Sequence, residues 1–170
     1  MSAHRHEDDG LRPLSTERFR EVIGHFASGV TVITTTIDGE LHGTTASAVS
    51  SLSLEPPMLV VCLNLRSATQ AAIIRSARFG VSILEQAQHE VAVRFATPRD
   101  DKFDDVPYRH GHHGQPLLVQ SLARLECDVD SHVVGGTHRV IIGRVRYADA
   151  GAGAPLAYYR GRFGRFDGPA

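Results

Sequence analysis

The stretch from Gly43 to Pro57 constrains the fold most strongly, because it is rich in serine, threonine and alanine and ends in two prolines. Strand interiors usually carry large β-branched or aromatic side chains, so a strand of this composition fills little space itself. Small side chains allow another molecule to lie flat against the backbone, and hydroxyl groups can donate and accept hydrogen bonds toward it. The same composition also suits an edge strand or loop that faces water, and composition alone leaves both interpretations open.

The segments on either side favour a ligand-facing strand. The β-branched run from Gly29 to Thr36 is followed by Asp38-Gly39, a strong signal for a tight hairpin turn. The run from Met58 to Leu65 is apolar apart from Asn64, as in a buried strand. A polar strand between two core strands is predicted to be internal, and its buried hydroxyl groups need partners, which a planar polar ligand would supply.

Length and composition indicate a single cytoplasmic domain. The chain has 170 residues, of which 42% are hydrophobic, and this allows a proper core but includes no membrane-spanning segment. Residues 1–13 are polar and charged without an apolar signal sequence, so a disordered tail is predicted ahead of a domain over residues 14–170. Cys62 and Cys127 are too few for a disulfide framework, which favours a reducing cytoplasm.

The charge pattern argues against several classes of function. The formal net charge is -1, and there is no sustained basic run or alternation of basic and aromatic residues, so a nucleic-acid partner is not expected. Neither a Gly-x-Gly-x-x-Gly motif nor a Walker A motif is present, which argues against a Rossmann or P-loop nucleotide site. Any nucleotide cofactor must therefore be held in another way.

The hydrophobic periodicity predicts an α+β fold that is mainly antiparallel β, with roughly six or seven strands and three short helices. The helices are expected over residues 15–27, 67–75 and 86–96, and further strands over 79–84, 122–129 and 139–147. The strand 122–129 alternates, which predicts Arg124, Glu126 and Asp128 on a solvent-facing side. Residues 97–115 are expected to form a long irregular segment.

Several polar side chains are candidates for a binding site. Ser67 and Thr69 begin the second predicted helix, where free N–H groups and the helix dipole favour a phosphate, although plain capping is the simpler explanation. The ammonium group of Lys102 could pair with a phosphate, or the side chain could simply face solvent. No metal site is predicted from the loop histidines, which lack a matched set of other ligands: His110, His112 and His113.

Two further candidates lie near the end of the chain. His138 follows a Gly-Gly turn directly, although a lone histidine more often has a structural role. The segment from Leu156 to Phe166 mixes aromatic and cationic side chains. By composition it suits a last strand with a solvated basic rim.

These features together resemble the short-chain flavin reductases, the reductase components of two-component flavin-dependent monooxygenases. The similarity covers roughly residues 15–166 in the right order. It is carried by these segments: Phe26–Thr34, Thr45–Val49, Ser51–Pro57, Arg94–Ala96, Asp101–Phe103, Gly135–His138 and Gly143–Val145.

The resemblance implies a fold and an activity. The fold would be an FMN-binding split barrel that forms a homodimer, with the flavin near the subunit interface. The activity would be reduction of FMN or FAD by NADH or NADPH, in which hydride passes from nicotinamide C4 to flavin N5. Reduced flavin would then be released to a partner monooxygenase.

The resemblance also implies site residues. At the flavin ring it places Thr45, Ala46 and Ser47, with Ala48, Ser51 and Cys62 as further cofactor contacts. On the phosphate side it places Ser53, Ser67, Thr69 and Lys102, and beside the flavin it places Phe95 or its backbone. On the nicotinamide side it places Tyr159, Arg160 and His138, the last as the catalytic residue. It also implies that the segment 156–166 closes over the cofactor pocket, where arginine would pair with the pyridine-nucleotide pyrophosphate.

Two positions depart from the family pattern. Val49 stands where an aromatic residue is usual, which bears on flavin packing and on the choice between FMN and FAD. Thr137 stands where an acidic residue commonly precedes the histidine, which bears on how His138 is oriented. Two other functions stay open on the same barrel: a non-enzymatic flavin carrier or redox sensor, and an oxidase that uses bound FMN.

Overall fold

The computed structural model describes residues 13–166, so nearly all of the predicted tail, residues 1–13, lies outside the described residues. The helices are α1 (Thr16–Ile23), α2 (Ala68–Ser76) and α3 (His89–Ala96), the last preceded by a 3₁₀ turn at Gln86–Gln88. The first seven strands in chain order are β1 (Ser28–Gly29), β2 (Thr31–Ile37), β3 (Glu40–Ala46), β4 (Val49–Leu54), β5 (Pro57–Asn64), β6 (Arg78–Ile83) and β7 (Tyr108–His110). The remaining strands are β8 (Pro116–Leu118), β9 (Ala123–Gly135), β10 (His138–Ala150), β11 (Leu156–Tyr159) and β12 (Arg162–Arg165).

The main sheet has seven strands in the order β3-β2-β6-β9-β10-β5-β4, and each neighbouring pair is antiparallel. Its two edge strands, β3 and β4, are consecutive in the chain and are joined only by Ser47 and Ala48. The sheet must therefore curl until its edges meet at this connection, which produces an open barrel. The predicted α+β, mainly antiparallel class is confirmed.

The stretch that the sequence placed inside the sheet lies at its edges instead. Residues 43–46 end β3, residues 49–54 form β4, and the two strands lie at opposite edges of the main sheet. The prediction of one internal strand was wrong, because a short break at Ser47-Ala48 lets the chain cross from one edge to the other. The small side chains of the stretch suit this close crossing.

Two apolar cores lie on the two sides of the barrel wall. The inner core contains Ile33, Val61, Phe79 and Ile141, and the outer core beneath α3 contains Val32 and its neighbours. Strand β2 contributes to both cores, which explains its unbroken β-branched run. Strand β5 buries one face only: alternate residues from Leu59 to Leu63 point inward, whereas the intervening side chains stay partly exposed. The prediction of a fully buried strand there was half right.

The first helix is shorter than predicted and packs little against the barrel. It ends at Ile23 rather than at Ala27, since the cap residue Gly24 donates its N–H to Arg20 and Val22 and the chain then enters β1. No residue of α1 is buried, and its apolar face is open to solvent. Strand β1 joins β11 and β12 in a separate three-stranded sheet beside this helix.

The long segment 97–115 is partly ordered by a buried carboxylate. Glu126 is fully buried, and its Oε1 accepts hydrogen bonds from the backbone N–H of His113 at 2.8 Å and of Gln115 at 3.2 Å. The prediction of a solvent-facing Glu126 was therefore wrong, because the loop folds over it. Within residues 13–166, no helix is both long enough and apolar enough to cross a membrane.

Candidate functional site

A groove of about 1020 Å³ opens where α1, the Ser47-Ala48 connection and the β11–β12 turn approach the outward face of β5. Four of the predicted site residues line it: Ser47, Ala48, Cys62 and Arg160. The remaining lining side chains are mostly small or apolar, including Val49, Ser50, Val60, Phe26 and Tyr158. The groove is large enough for a flat aromatic ligand of the size of a cofactor ring system.

The floor of the groove is held by backbone hydrogen bonds. The N–H of Cys62 donates to the carbonyl of Ala48 at 2.9 Å, and Ser50 pairs with Val60 across β4 and β5. These bonds fix the connection between the two edge strands against β5. The crossing therefore presents the small side chains of Ser47 and Ala48 to the groove.

Other residues of the predicted flavin contact surface have partners within the protein. The hydroxyl of Thr45 donates to the carbonyl of Ala92 on α3 at 2.6 Å, and Ala46 packs in the inner core. The hydroxyl of Ser53 accepts from the N–H of Glu55 at 3.2 Å in the turn after β4. Ser51 is exposed on the edge strand. None of these side chains lines the groove.

The predicted phosphate-side helix forms as expected. Ser67 caps α2, because its hydroxyl accepts a hydrogen bond from the N–H of Gln70 at 3.3 Å. Thr69, in the first turn, is 4% exposed. Capping thus explains Ser67 in the absence of a ligand, and burial leaves little of Thr69 accessible.

Lys102 and Phe95 are linked to each other and lie outside the groove. The Nζ of Lys102 donates to the carbonyls of Gly43 and Phe95, each at 3.0 Å. Phe95 is fully buried in the outer core and packs edge-to-face on Phe103, with ring centroids 5.0 Å apart. Burial lowers the pKa of Lys102. An ammonium carries three N–H donors, so one is left after these two bonds.

His138 lies at the start of β10, at the far end of the face that carries Cys62. It pairs with Asn64, and Val140 pairs with Cys62, so His138 is two residues, about 7 Å, farther along the sheet. Its ring is exposed, and Nδ1 is hydrogen-bonded to the hydroxyl of Thr137 at 2.9 Å. Thr137 therefore orients this imidazole in the place of the acidic residue that is usual in the family pattern.

Tyr159 and Arg160 lie at the turn between β11 and β12. Arg160 has φ 49°, in the left-handed region, and its N–H donates to the carbonyl of Gly24 at 3.0 Å. This bond attaches the turn to the end of α1, and Arg160 reaches the groove. The exposed ring of Tyr159 meets His25 edge-on at 6.2 Å and lines a second cavity beside the groove.

Sequence reasoning missed the contribution of the first helix to the groove. Glu17, Arg20 and Glu21 line one wall. The amphipathic pattern of α1 was visible, but the pattern alone did not show that the helix lies against a cavity rather than a core. Of the histidines expected on an irregular loop, His110 lies in strand β7, whereas His112 and His113 are exposed in the turn that follows. Within residues 13–166, no group of three His, Cys, Asp or Glu side chains is placed to hold a metal ion.

Comparison with known families agrees with this geometry. The family model described as "Flavin reductase like domain" matches residues 23–167. The chain belongs to the flavin reductase-like family. The match includes both edge strands, the groove floor, His138 and the β11–β12 turn.

Similar proteins of known role are reductase components. The chain is 51% identical to the reductase component of 4-nitrophenol 4-monooxygenase/4-nitrocatechol 2-monooxygenase from Rhodococcus opacus, over 92% of this chain and 84% of that one. It is 38% identical to the reductase subunit HsaB of a flavin-dependent monooxygenase from Rhodococcus jostii (strain RHA1), over 88% of this chain and 77% of that one.

Solved structures with the same fold point the same way. Nitrilotriacetate monooxygenase component B from Mycobacterium thermoresistibile superimposes with a TM-score of 0.86 and 35% identity, over 91% of this chain and 90% of that one. The NADH:FAD oxidoreductase SgcE6 of Streptomyces globisporus, in complex with NAD and FAD fragments, superimposes with a TM-score of 0.85 and 34% identity, over 88% of this chain and 92% of that one. The predicted split barrel and flavin reductase activity, with a flavin and a pyridine nucleotide as cofactors, are confirmed.

Proposed function

We propose that this flavin reductase is the reductase component of a two-component monooxygenase that acts on a phenolic compound. The 51% identity to a nitrophenol monooxygenase reductase component supports the class of system. The observation that carries the site is the groove floor, which is lined by the small side chains of Ser47, Ala48 and Cys62 and held by the hydrogen bond from the N–H of Cys62 to the carbonyl of Ala48. A flavin fits this floor, because its tricyclic ring needs a flat surface and hydrogen-bonding groups at its edge.

The groove residues would bind and orient the flavin. Ser47, Ala48 and Cys62 would lie beneath the ring, with the hydroxyl of Ser47 able to meet a polar ring edge. Ser51 would approach from the exposed edge of β4. Thr45, Ala46 and Phe95 would contribute backbone groups only, because their side chains pack within the protein.

The phosphate side would be formed by the first turn of α2 and the turns near it. Ser67 and Thr69 place backbone N–H groups at the positive end of the helix dipole. Lys102 has one N–H left for a phosphate, and the hydroxyl of Ser53 has a donor available since it only accepts in the turn.

The nicotinamide side would use His138, Tyr159 and Arg160. Hydride transfer from nicotinamide to flavin is the chemistry that the two cofactors supply when bound. The protein has to hold the two rings in contact and keep them aligned. The Thr137 hydroxyl would keep the imidazole of His138 in one orientation, and Arg160 would provide a cation at the rim of the groove.

We further propose that two copies associate as a homodimer. The apolar face of α1 is exposed, with Phe19 at 55%, and so are Phe26 just after the helix, at 77%, and Val133 at the β9–β10 tip, at 62%. Exposed apolar surface of this extent commonly marks an interface. Replacing Phe19 and Phe26 together by glutamate should yield a monomer in sedimentation equilibrium, whereas Val119→Glu on a different segment should not.

A cytoplasmic location fits the same proposal. Cys62 and Cys127 are free thiols, as expected for a protein kept in a reducing compartment. In the cytoplasm the protein would have access to pyridine nucleotides and to a flavin-dependent oxygenase without being exported.

The decisive assay is steady-state oxidation of NADH and NADPH by the purified protein with added FMN or FAD. Turnover that requires free flavin is the expected result. A flavin carrier would bind flavin without turnover. An oxidase would purify yellow and retain its flavin through dialysis, and either of these results would contradict the proposal.

A further inference from the structure

The turn that carries Lys102 is held by an arginine that the proposed site does not use. Arg94 lies in the last turn of α3 and is partly buried. Its Nη1 donates hydrogen bonds to the backbone carbonyls of Asp101 at 3.0 Å and of Asp104 at 2.6 Å. These two carbonyls lie on either side of Lys102 in the chain, so one guanidinium group holds both ends of the short turn 101–104.

The contacts of Arg94 indicate that it holds backbone rather than neutralises charge. Among residues 13–166, Arg94 forms no ion pair. Arg99, a second arginine close in sequence, instead forms a forked pair with the carboxylate of Asp101, and both of these side chains are exposed. An exposed ion pair contributes little to stability, whereas a hydrogen bond from a charged donor is stronger than a neutral one. Arg94 is therefore the side chain that fixes the backbone of the turn.

On its other side the turn is attached to the barrel by Lys102 itself. Nζ donates to the carbonyl of Gly43 on β3 and to the carbonyl of Phe95, each at 3.0 Å. The carbonyl of Phe95 belongs to the last turn of α3, where carbonyls lack partners within the helix, so Lys102 caps this helix. The contact is close, because a Cβ built at Gly43 would lie 2.5 Å from Cε1 of Phe95. The two carbonyls fix the ammonium between strand and helix, and they also fix the direction of its third N–H.

The placement of this ammonium depends on side chains, since residues 97–107 contain no helix or strand. A lysine has a long, flexible side chain, and it binds an anion more tightly when its position is fixed before the anion arrives. Arg94 fixes the backbone of Lys102, and the carbonyls of Gly43 and Phe95 fix its ammonium. Loss of Arg94 would free the turn and remove the first of these two restraints.

We propose that Arg94 is a positioning residue for the flavin phosphate: it holds the turn 101–104 so that Lys102 presents its third N–H to that phosphate. Arg94 itself does not touch the ligand. This inference rests on the proposed role of Lys102 in the flavin site. It gives a function to the segment Arg94–Ala96, in which Arg94 sets the turn and the carbonyl of Phe95 directs the ammonium.

The test compares the binding of FMN and of riboflavin, which has the same ring system but no phosphate, by fluorescence titration. Arg94→Ala removes the guanidinium, and Arg94→Lys keeps a cation that can donate to carbonyls. Arg99→Ala is the matched control, because it removes an exposed arginine that bonds a side chain of the same turn rather than its backbone. Lys102→Met and the double variant Arg94→Ala/Lys102→Met complete a double-mutant cycle.

Arg94→Ala should weaken FMN binding at least about fivefold, roughly the contribution of one charged hydrogen bond. Its affinity for riboflavin should change less than about twofold. Arg94→Lys should recover most of the FMN affinity, and Arg99→Ala should bind both ligands as wild type does. The double variant should bind FMN within about twofold of Lys102→Met alone, because Arg94 acts through Lys102.

The proposal would be overturned by an unchanged FMN affinity in Arg94→Ala, by equal losses for FMN and riboflavin, or by losses that multiply in the double variant. An FMN affinity of Lys102→Met equal to that of wild type would remove the phosphate contact and this inference with it. Circular dichroism and melting temperature check folding, and Arg94→Met, which keeps the aliphatic stem, replaces Arg94→Ala if the latter does not fold. If wild-type protein oxidises no NADH with any flavin, the reductase proposal fails, whereas the titrations still decide the role of Arg94.

Discussion

The backbone N–H of Cys62 lies 2.9 Å from the carbonyl oxygen of Ala48, and this hydrogen bond connects the crossing between the two edge strands to β5. It makes the crossing part of a rigid sheet rather than a free loop. Neither side chain is large, and both line the groove. In the function proposed above, the flavin would lie over this small area of backbone.

Replacement of His138 should affect the pyridine nucleotide and spare the flavin. The ring is exposed at the end of the Cys62 face and is oriented by Thr137. His138→Ala should lower kcat/KM for NADH by about tenfold, which corresponds to roughly 1.4 kcal/mol of lost transition-state stabilisation. Flavin affinity, measured by fluorescence titration, should change less than about twofold.

The controls for this prediction separate orientation from a general loss of histidine. Thr137→Ala should give a smaller loss of the same kind, and Thr137→Ser should retain activity because it keeps the hydroxyl. His113→Ala removes an exposed ring but keeps the backbone N–H that bonds Glu126, so it should have wild-type kinetics. Unchanged kinetics in His138→Ala would remove this residue from the site.

Lys102 is expected to combine a structural and a ligand-binding role. Lys102→Met leaves the carbonyls of Gly43 and Phe95 without their donor, which should lower the free energy of unfolding by about 2 kcal/mol in urea titrations. The same variant should bind FMN more weakly than wild type but should bind riboflavin, which lacks the phosphate, equally well. Equal affinities of wild type and variant for FMN would show that the ammonium acts on the fold alone.

Two glycines in strands should respond oppositely to alanine. A Cβ at Gly143 would lie 2.4 Å from Cζ of Phe79, a fully buried ring, so Gly143→Ala should cost about 1–3 kcal/mol of stability. Gly164→Ala meets open space and should change stability by less than about 0.5 kcal/mol. The denaturation midpoints of the two variants measure these changes in stability. If Gly143→Ala were as stable as wild type, the inner core would be loosely packed.

The two thiols should differ in reactivity. Burial, reinforced by Asp128 and Glu126, raises the pKa of Cys127 to about 12, so this thiol stays protonated at pH 8. A thiol reagent should therefore modify Cys62 rapidly in native protein and Cys127 only after unfolding. The variant Cys62→Ser identifies which thiol reacts, and rapid modification of that variant would contradict the burial of Cys127.

Local signals in the sequence predicted local structure well. Asp38 and Gly39 both have positive φ, as a tight hairpin turn between β2 and β3 requires, and Ser67 caps α2 where its position predicted. These features depend on neighbouring residues, and for this reason the sequence was sufficient.

Long-range contacts decided the features that the sequence did not predict. Glu126 looks solvent-facing in its own strand and is buried only because residues 113–115 return to bond it. Thr45 looks free to meet a ligand, yet its hydroxyl binds Ala92 on a helix that follows much later in the chain. The exposed apolar face of α1 has the same pattern as a face packed on a core, so periodicity could not separate the two.

The flavin is proposed to lie on the floor formed by Ala48 and Cys62, and the flavin dissociation constant of Ala48→Phe tests this placement. The added ring would occupy the floor, so FMN and FAD should bind at least about tenfold more weakly than to wild type. Ala148→Phe, which places the same ring at an exposed position of β10, should bind both flavins normally. If Ala48→Phe is folded and binds flavin as tightly as wild type, the flavin lies elsewhere and the account is wrong.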